Sequence, residues 1–306
     1  MRDTLRKLSY ELDNALKFSI QDSPRAKEPE IVETYLTNIS AMFTHPFPLR
    51  ANNQWHLVSI RTKFVHQKPY ALFSSNGPCG KTKMELGDIL FVVKYLDSHS
   101  IPIEIRASFL QAKLTKKNMW KITAHQQEFL MSPHRYKFKF GKKWDSDQQE
   151  RRINSRSSWL FTYLLMSTQG VPNLATSPEI VELWRQKPCK DYTIPMDFFV
   201  PVIYSRTPQF SGFVWYNKFV SGGYALWLYK FLRKNGVGGY IVNNGKISNL
   251  ELNDLVNTIY RFVGFLPDPP KEFEGYYGEG TFGIVEFTFA PPEETLKWYK
   301  ESRETM

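Results

Sequence analysis

The sequence predicts an α/β protein, a mixed β-sheet flanked by helices with an α+β elaboration at its C-terminal side. Three observations carry this. Two amphipathic helical segments open the chain. From residue 30 to residue 140 the order then reads helix, strands, helix, strand. Beyond residue 150, strand-like and helical stretches mix without an internal repeat. The chain has 306 residues, 42% hydrophobic and 15% aromatic, enough for a real core.

In order along the chain, residues 3–20 place Leu5, Leu8, Leu12, Leu16 and Phe18 near one helical face. "QDSPRAKEPE", with two prolines and many charges, reads as a linker. A second helix runs from about Glu30 to Phe43, with Ile31, Tyr35, Ile39 and Met42 at helical spacing and "HPFPL" as its stop. "WHLVSIRTKFV" and "PYALFSS" read as strands, and "NGPCG" as a turn. "DILFVVKYL" is β-branched and apolar throughout, as a strand buried on both faces would be. "EIRASFLQAKL" is the next strand, "NMWKITAHQQEFLM" a helix and "RYKFKF" a short strand. Later come strands near 198–216, a helix at 223–234, the turn "GVGG", a helix near 249–263 and the strand "GIVEFTFA". The organisation expected is a core over residues 1–150 and a region over 151–306 that either stands apart or packs back on the core.

Composition narrows the function classes. No apolar run approaches the ~20 residues of a membrane span, and the first residues are charged and amphipathic. Cys79 and Cys189 stand far apart in sequence and suggest neither a zinc site nor a disulfide scaffold, so a reducing, cytoplasmic setting is expected. The net charge of +10 is uneven. Residues 101–152 hold 12 Lys/Arg against 5 Asp/Glu, and residues 250–306 hold 5 against 11. That asymmetry suggests a polyanion-binding region and an acidic tail with Glu272, Glu274 and Glu279; two ordinary solvated surfaces are the plain alternative.

Chemistry concentrates on two strands. Asp88 stands where "ELGDILFVV" begins, and Gln111 and Lys113 lie two residues apart on the next strand, on one face of it. Leu110, Ala112 and Leu114 would anchor the other face. Phosphodiester hydrolysis needs these types together. Asp88 and Gln111 can share a Mg²⁺ or Mn²⁺ ion, and the Ala112 carbonyl can add a third hard oxygen. Lys113 can then position or deprotonate the attacking water and offset phosphate charge. The bland alternative is a sheet edge with Gln111 and Lys113 facing solvent.

Asp88 followed 23 residues later by Gln111-x-Lys113 resembles the PD-(D/E)xK nuclease superfamily, in the variant with Gln at the second acidic position. "FLQAKL" is similar to the corresponding strand of Mrr-type restriction endonucleases. The resemblance covers roughly residues 30–140 and implies a restriction-endonuclease-like core. It also implies a Mg²⁺-dependent endonuclease acting on DNA in restriction or antiviral defence, with Asp88, Gln111 and Lys113 as catalytic residues. The residues themselves do not separate DNA from RNA. A homodimer or a partner subunit of a defence complex fits that setting, and no membrane is needed. Such families often add an acid from the first core helix; Glu33 is the first choice here and Glu30 the second. The neutral Gln111 should weaken metal binding relative to an all-carboxylate site. A non-catalytic nucleic-acid-binding or scaffold protein of the same fold is the competing reading.

"RYKFKFGKK" alternates Arg135, Lys137 and Lys139 with Tyr136, Phe138 and Phe140, and Lys142 and Lys143 extend the charge. One strand face would contact phosphates while the other packs. Among His125, Gln126 and Gln127, Gln127 is singled out to reach the scissile phosphate, with a surface role as the alternative. Two motifs are decoys. "GEGTFGIVE" matches a kinase glycine loop but lacks every downstream kinase element. "SNGPCGKT" approaches a phosphate-binding loop but leads into a strand rather than a helix.

Overall fold

The computed structural model describes residues 4–51, 54–66, 69–73, 76–140, 149–154, 159–169, 173–196, 221–267 and 281–291. The helices are α1 (Thr4–Asp22), α2 (Glu28–Met42), α3 (Ala124–Met131), α4 (Pro178–Glu182), α5 (Tyr224–Leu232) and α6 (Leu250–Phe262). The strands of the first half are β1 (Phe47–Ala51), β2 (Gln54–Val65), β3 (Tyr70–Leu72), β4 (Lys83–Glu85), β5 (Ile89–Leu96), β6 (Pro102–Thr115), β7 (Met119–Ile122) and β8 (Lys137–Phe140). Those of the second half are β9 (Arg151–Arg152), β10 (Phe161–Ser167), β11 (Leu174–Thr176), β12 (Tyr192–Pro195), β13 (Ser221–Gly223), β14 (Gly239–Asn243), β15 (Lys246–Ile247) and β16 (Phe282–Ala290).

Ten of these strands form one mixed sheet in the order β1-β2-β16-β5-β6-β10-β11-β13, with β14 and β15 branching from β6. The fourteen-residue β6 is long enough to share its far edge. Its first half pairs antiparallel with β14, and its second half pairs parallel with β10. On its other side it runs antiparallel to β5 as far as Leu110, so Gln111 and Lys113 lie just past the start of β5 with β10 as their strand partner, and Gln111 is buried rather than facing solvent. The sheet draws strands from both sides of residue 150. β16, nearly two hundred residues after β5, lies between β5 and β2. Of the described strands beyond residue 150, β10, β11, β13, β14, β15 and β16 therefore belong to the same large sheet, while β9 and β12 pair with β8 and β7 in smaller ones.

The strand period of two sorts side chains to two cores. Ile89, Phe91, Val93 and Tyr95 join Leu110, Ala112, Val285, Phe287 and Phe289 under α1, α2 and α5. Leu90, Val92, Ala107, Phe109 and Ile284 join the opposite core with α3, α4 and α6. Each fully buried Phe or Leu contributes on the order of 1.5–3 kcal/mol. Gly283 has a specific reason to be glycine: a Cβ there would come 2.0 Å from Leu36 Cδ1, so the glycine lets α2 close on β16.

Several local expectations change. Phe18 and Met42 are exposed although they share their helices' apolar spacing. "HPFPL" does more than stop α2: Phe47, Pro48 and Leu49 begin β1, an edge strand where proline's missing N–H costs no ladder bond. "NMWKITAHQQEFLM" is not one helix. Met119–Ile122 is a strand, with Trp120 and Ile122 buried in alternation and paired to β12, and the helix begins only at Ala124. The strands expected near 198–216 lie outside the described residues, as do Glu272, Glu274 and Glu279. Cys79 and Cys189 are joined in a disulfide across 110 residues of sequence. The turn carrying Cys79 packs on α3, and Asp191, two residues past Cys189, accepts the Ala124 N–H at 3.1 Å; both ends thus meet at that helix. The cysteine argument for a reducing compartment falls with this pairing. Among the described residues, no helix is long and apolar enough to cross a membrane.

Candidate active site

Asp88 stands one residue before β5, and its backbone is wedged between two strands. Its N–H donates to the Leu110 carbonyl at 2.9 Å, and its carbonyl accepts from the Gly283 N–H at 3.0 Å. The side chain is 1% exposed and is met from β6. Gln111 Nε2 donates to Asp88 Oδ2 at 2.5 Å, and the Ala112 N–H donates to the same oxygen at 2.8 Å. Two residues 23 apart in sequence therefore share one hydrogen bond because β5 and β6 pair with Ile89 opposite Leu110.

An extended residue points its N–H and C=O toward the same neighbour. The Ala112 carbonyl accordingly lies on the Asp88 edge too. Gln111 is held from behind: its Oε1 accepts from Gln126 Nε2 on α3. Lys113, on the same strand face two residues on, lies at the rim. Its ammonium is 3.9 Å from Glu28 Oε1, and Glu28 Oε2 accepts the Leu114 N–H at 3.1 Å. Leu110 and Ala112 are fully buried on the opposite face, and Leu114 packs partly buried against the same core.

The helix acid beside Lys113 is thus Glu28, not Glu33 or Glu30. Glu33 reaches His66 instead, with Oε2 3.6 Å from its Nδ1. Glu30 is spent on its own helix start, where Oε2 accepts the Lys27 N–H at 2.9 Å. Sequence reading missed Glu28 because "KEPE" passed as linker. The signal was present: Pro29 and two acids suit a helix's first turn, where the backbone N–H groups favour negative charge.

A cleft of about 440 Å³ opens beside Lys113, lined by Tyr70, Lys83, Glu85, His125 and Gln126. The β3–β4 hairpin supplies one wall and the start of α3 another. Lys83 lies 3.7 Å over the Tyr70 ring. Burial, and then the nearby Lys81, push the His125 pKa below that of a free imidazole, so at neutral pH this ring is a neutral donor–acceptor on the cleft wall. Gln127 does not share the cleft. It is fully buried and donates to the Pro178 carbonyl at 2.7 Å and to Glu182 Oε2 at 3.0 Å, so it ties α3 to α4.

The basic strand face is smaller than expected. Arg135 ends a 3₁₀ turn and is exposed, and Lys137 is exposed but paired with Glu150 at 2.8 Å. Lys139 is 5% exposed, opposite Leu72 where β3 pairs with β8. Lys142 and Lys143 lie outside the described residues.

Glu128, beside Cys79 and Cys189, completes a trio of metal-ligand types, but with the sulfurs joined to each other the trio is no metal set. Within "SNGPCGKT", Pro78–Gly80 fold as a 3₁₀ turn leading into β4, a strand rather than a phosphate-cradling helix start. Comparison with protein-family models, with curated proteins and with solved structures finds no match, so the chain is assigned to no family by likeness.

Proposed function

We propose that the chain is a metal-dependent nuclease that hydrolyses phosphodiester bonds at the Asp88–Gln111–Lys113 site, with DNA as the favoured substrate. The observation that carries this is the convergence of Asp88 and Gln111 on neighbouring strands, 2.5 Å apart, with Lys113 on the same face at the rim of a cleft. The order α2, β2, β5, β6, α3, β10 supports a restriction-endonuclease-like core, with β10 returning parallel to β6 after α3. The inserted β16 is a departure from a compact hairpin of the first strands.

The donor set fits a hard divalent cation, Mg²⁺ or Mn²⁺: one carboxylate, one amide and one backbone carbonyl. Gln111 turns its NH₂ to Asp88 and its oxygen to Gln126. Because both residues are amides, reversing the two together keeps their mutual hydrogen bond and presents Gln111 oxygen to Asp88. Asp88, Gln111 and the Ala112 carbonyl would hold the ion, which supplies Lewis acidity and an activated water. Lys113 offsets phosphate charge and orients the water. Glu28, 3.9 Å from the Lys113 ammonium, aims it at the rim, and Gln126 fixes Gln111.

A second reading has its own observation. Asp88 Oδ2 accepts from two neutral protein groups, as does a buried carboxylate that only ties two strands together. That favours a non-catalytic nucleic-acid-binding or scaffold protein. Incubation with plasmid, linear duplex, single-stranded DNA and RNA, each with Mg²⁺, Mn²⁺ or EDTA, decides between them. Metal-dependent cutting that Lys113→Ala abolishes supports the nuclease. Binding without cutting in any metal supports the alternative.

A further inference from the structure

A cavity of about 750 Å³ opens where α5 ends, lined by Trp159, Lys230, Arg233, Lys234, the 235–238 loop and Tyr240. Its loop is held from beneath by a buried ion pair. Arg106, 0% exposed, donates through Nε to Glu104 Oε1 at 2.7 Å. Its two terminal nitrogens donate to the carbonyls of Val237 and Arg233. Glu104 Oε2 in turn accepts the Asn235 N–H at 2.9 Å. Burying both ions costs desolvation, and here they fix both ends of one short loop. Gly236 is required, since a Cβ would meet the Lys230 carbonyl at 2.1 Å, and Gly238 takes a φ of +121°.

Cations near a helix C-terminus usually serve its unpaired carbonyls. Here that need is met by other groups. Leu232 O accepts from the Tyr95 hydroxyl at 2.5 Å, Lys230 O from the Val237 N–H at 3.2 Å, and Arg233 O from Gly236 N–H and Arg106. Lys230, Arg233 and Lys234 border the cavity, and among the described residues none of them has a carboxylate within salt-bridge distance. Burial already pushes the Lys230 ammonium pKa down. Three like charges around one cavity repel, and an anion placed among them removes that cost. Trp159 and Tyr240 add flat aromatic surface, and the volume falls in the range of small-ligand sites.

We propose that this cavity binds a nucleotide, with the phosphates against Lys230, Arg233 and Lys234 and the base against Trp159 and Tyr240. The site is separate from the candidate active site: Arg106 precedes Gln111 by five residues on β6, about 17 Å at ~3.4 Å per residue. It does not rest on the nuclease reading.

Calorimetric titration of the full chain with ATP, AMP, pyrophosphate and a short single-stranded oligonucleotide tests it, with tryptophan fluorescence as a second readout. Saturable ATP binding is expected, tighter than pyrophosphate because the base adds contact. Lys230→Ala/Arg233→Ala should weaken it at least about tenfold, the loss of ~1.4 kcal/mol of charge-assisted contact. Trp159→Phe should remove the fluorescence change on binding. Thermal melts of these variants should match the parent, since the loop is held by Arg106 and Glu104. No saturable ATP binding, or undiminished binding by the double variant, overturns the proposal. So does a site that takes the oligonucleotide and not ATP.

Discussion

Two buried acids lie on neighbouring strands of the same sheet, and they are satisfied in opposite ways. Glu286, in the middle of β16, is 2% exposed. It meets Arg61 at 2.5 Å, Lys94 at 2.5 Å and the Tyr260 hydroxyl at 2.6 Å. Asp88, 1% exposed at the start of β5, is met on Oδ2 by an amide and a backbone N–H, both neutral. The cation nearest in the motif, Lys113, leans toward Glu28 instead. Two cations and a hydroxyl close the first cluster on itself, and α6 covers it through Tyr260. The second stands at a strand end beside a cleft. A carboxylate matched by cations is explained by structure alone. A carboxylate held by one side-chain amide and a backbone N–H is the one to which the proposed function assigns a cation from outside.

The largest expected effect separates activity from stability. Asp88→Ala or Lys113→Ala should reduce cleavage by several kcal/mol of transition-state stabilisation, on the order of 10³-fold, while nucleic-acid binding persists. Glu286→Gln should leave cleavage per folded molecule unchanged. Undiminished cutting by Lys113→Ala would place the chemistry elsewhere.

Stability should show the reverse pattern. Glu286→Gln leaves Lys94 and Arg61 without their counter-charge and should cost about 1–3 kcal/mol by chemical denaturation. Asp88→Asn keeps an acceptor for the Ala112 N–H, and its cost should stay under about 1 kcal/mol. Equal losses in the two variants would break the distinction.

Acid titration sharpens it further. Burial alone would raise the Glu286 pKa, but Lys94, then Tyr260 and Arg61, hold it below the free value of 4.5. A carboxylate with a depressed folded pKa binds fewer protons folded than unfolded, so it stabilises the fold fully above pH 4.5. That stabilisation fades as pH falls through the lowered value. Melting temperature against pH should therefore drop less steeply below pH 4.5 for Glu286→Gln than for the parent.

Glu28→Gln gives the smallest effect. Lys113 loses a partner 3.9 Å away that is itself partly exposed, so cleavage should fall by about tenfold or less, within the range of screened ion pairs. A loss as large as that of Lys113→Ala would promote Glu28 from aiming the lysine to direct participation.

The sequence made the centre of this arrangement legible because it is local. Asp88, Gln111 and Lys113 sit on consecutive strands of the large sheet, and the period of two fixes which side chains share a face. What was hidden depends on distant pairing. Glu28 lies 85 residues before Lys113, in a stretch whose proline suggested a linker rather than a first turn. Gln126 meets Gln111 only because β7 shortens the expected helix and turns α3 toward the sheet. Lys139 alternates correctly with Phe138 and Phe140, but periodicity does not reveal that it is buried. The insertion of β16 between β2 and β5 and the Cys79–Cys189 link are contacts across more than a hundred residues of sequence, for which no short-range pattern exists.

The most direct test is Mn²⁺ binding, followed by calorimetry and by the spin-resonance signal of the free ion, for the parent, Asp88→Asn and Glu286→Gln. The account predicts saturable binding by the parent, its loss in Asp88→Asn and its full retention in Glu286→Gln. Binding that survives Asp88→Asn unchanged, or a parent that binds no Mn²⁺ with or without nucleic acid, would contradict it.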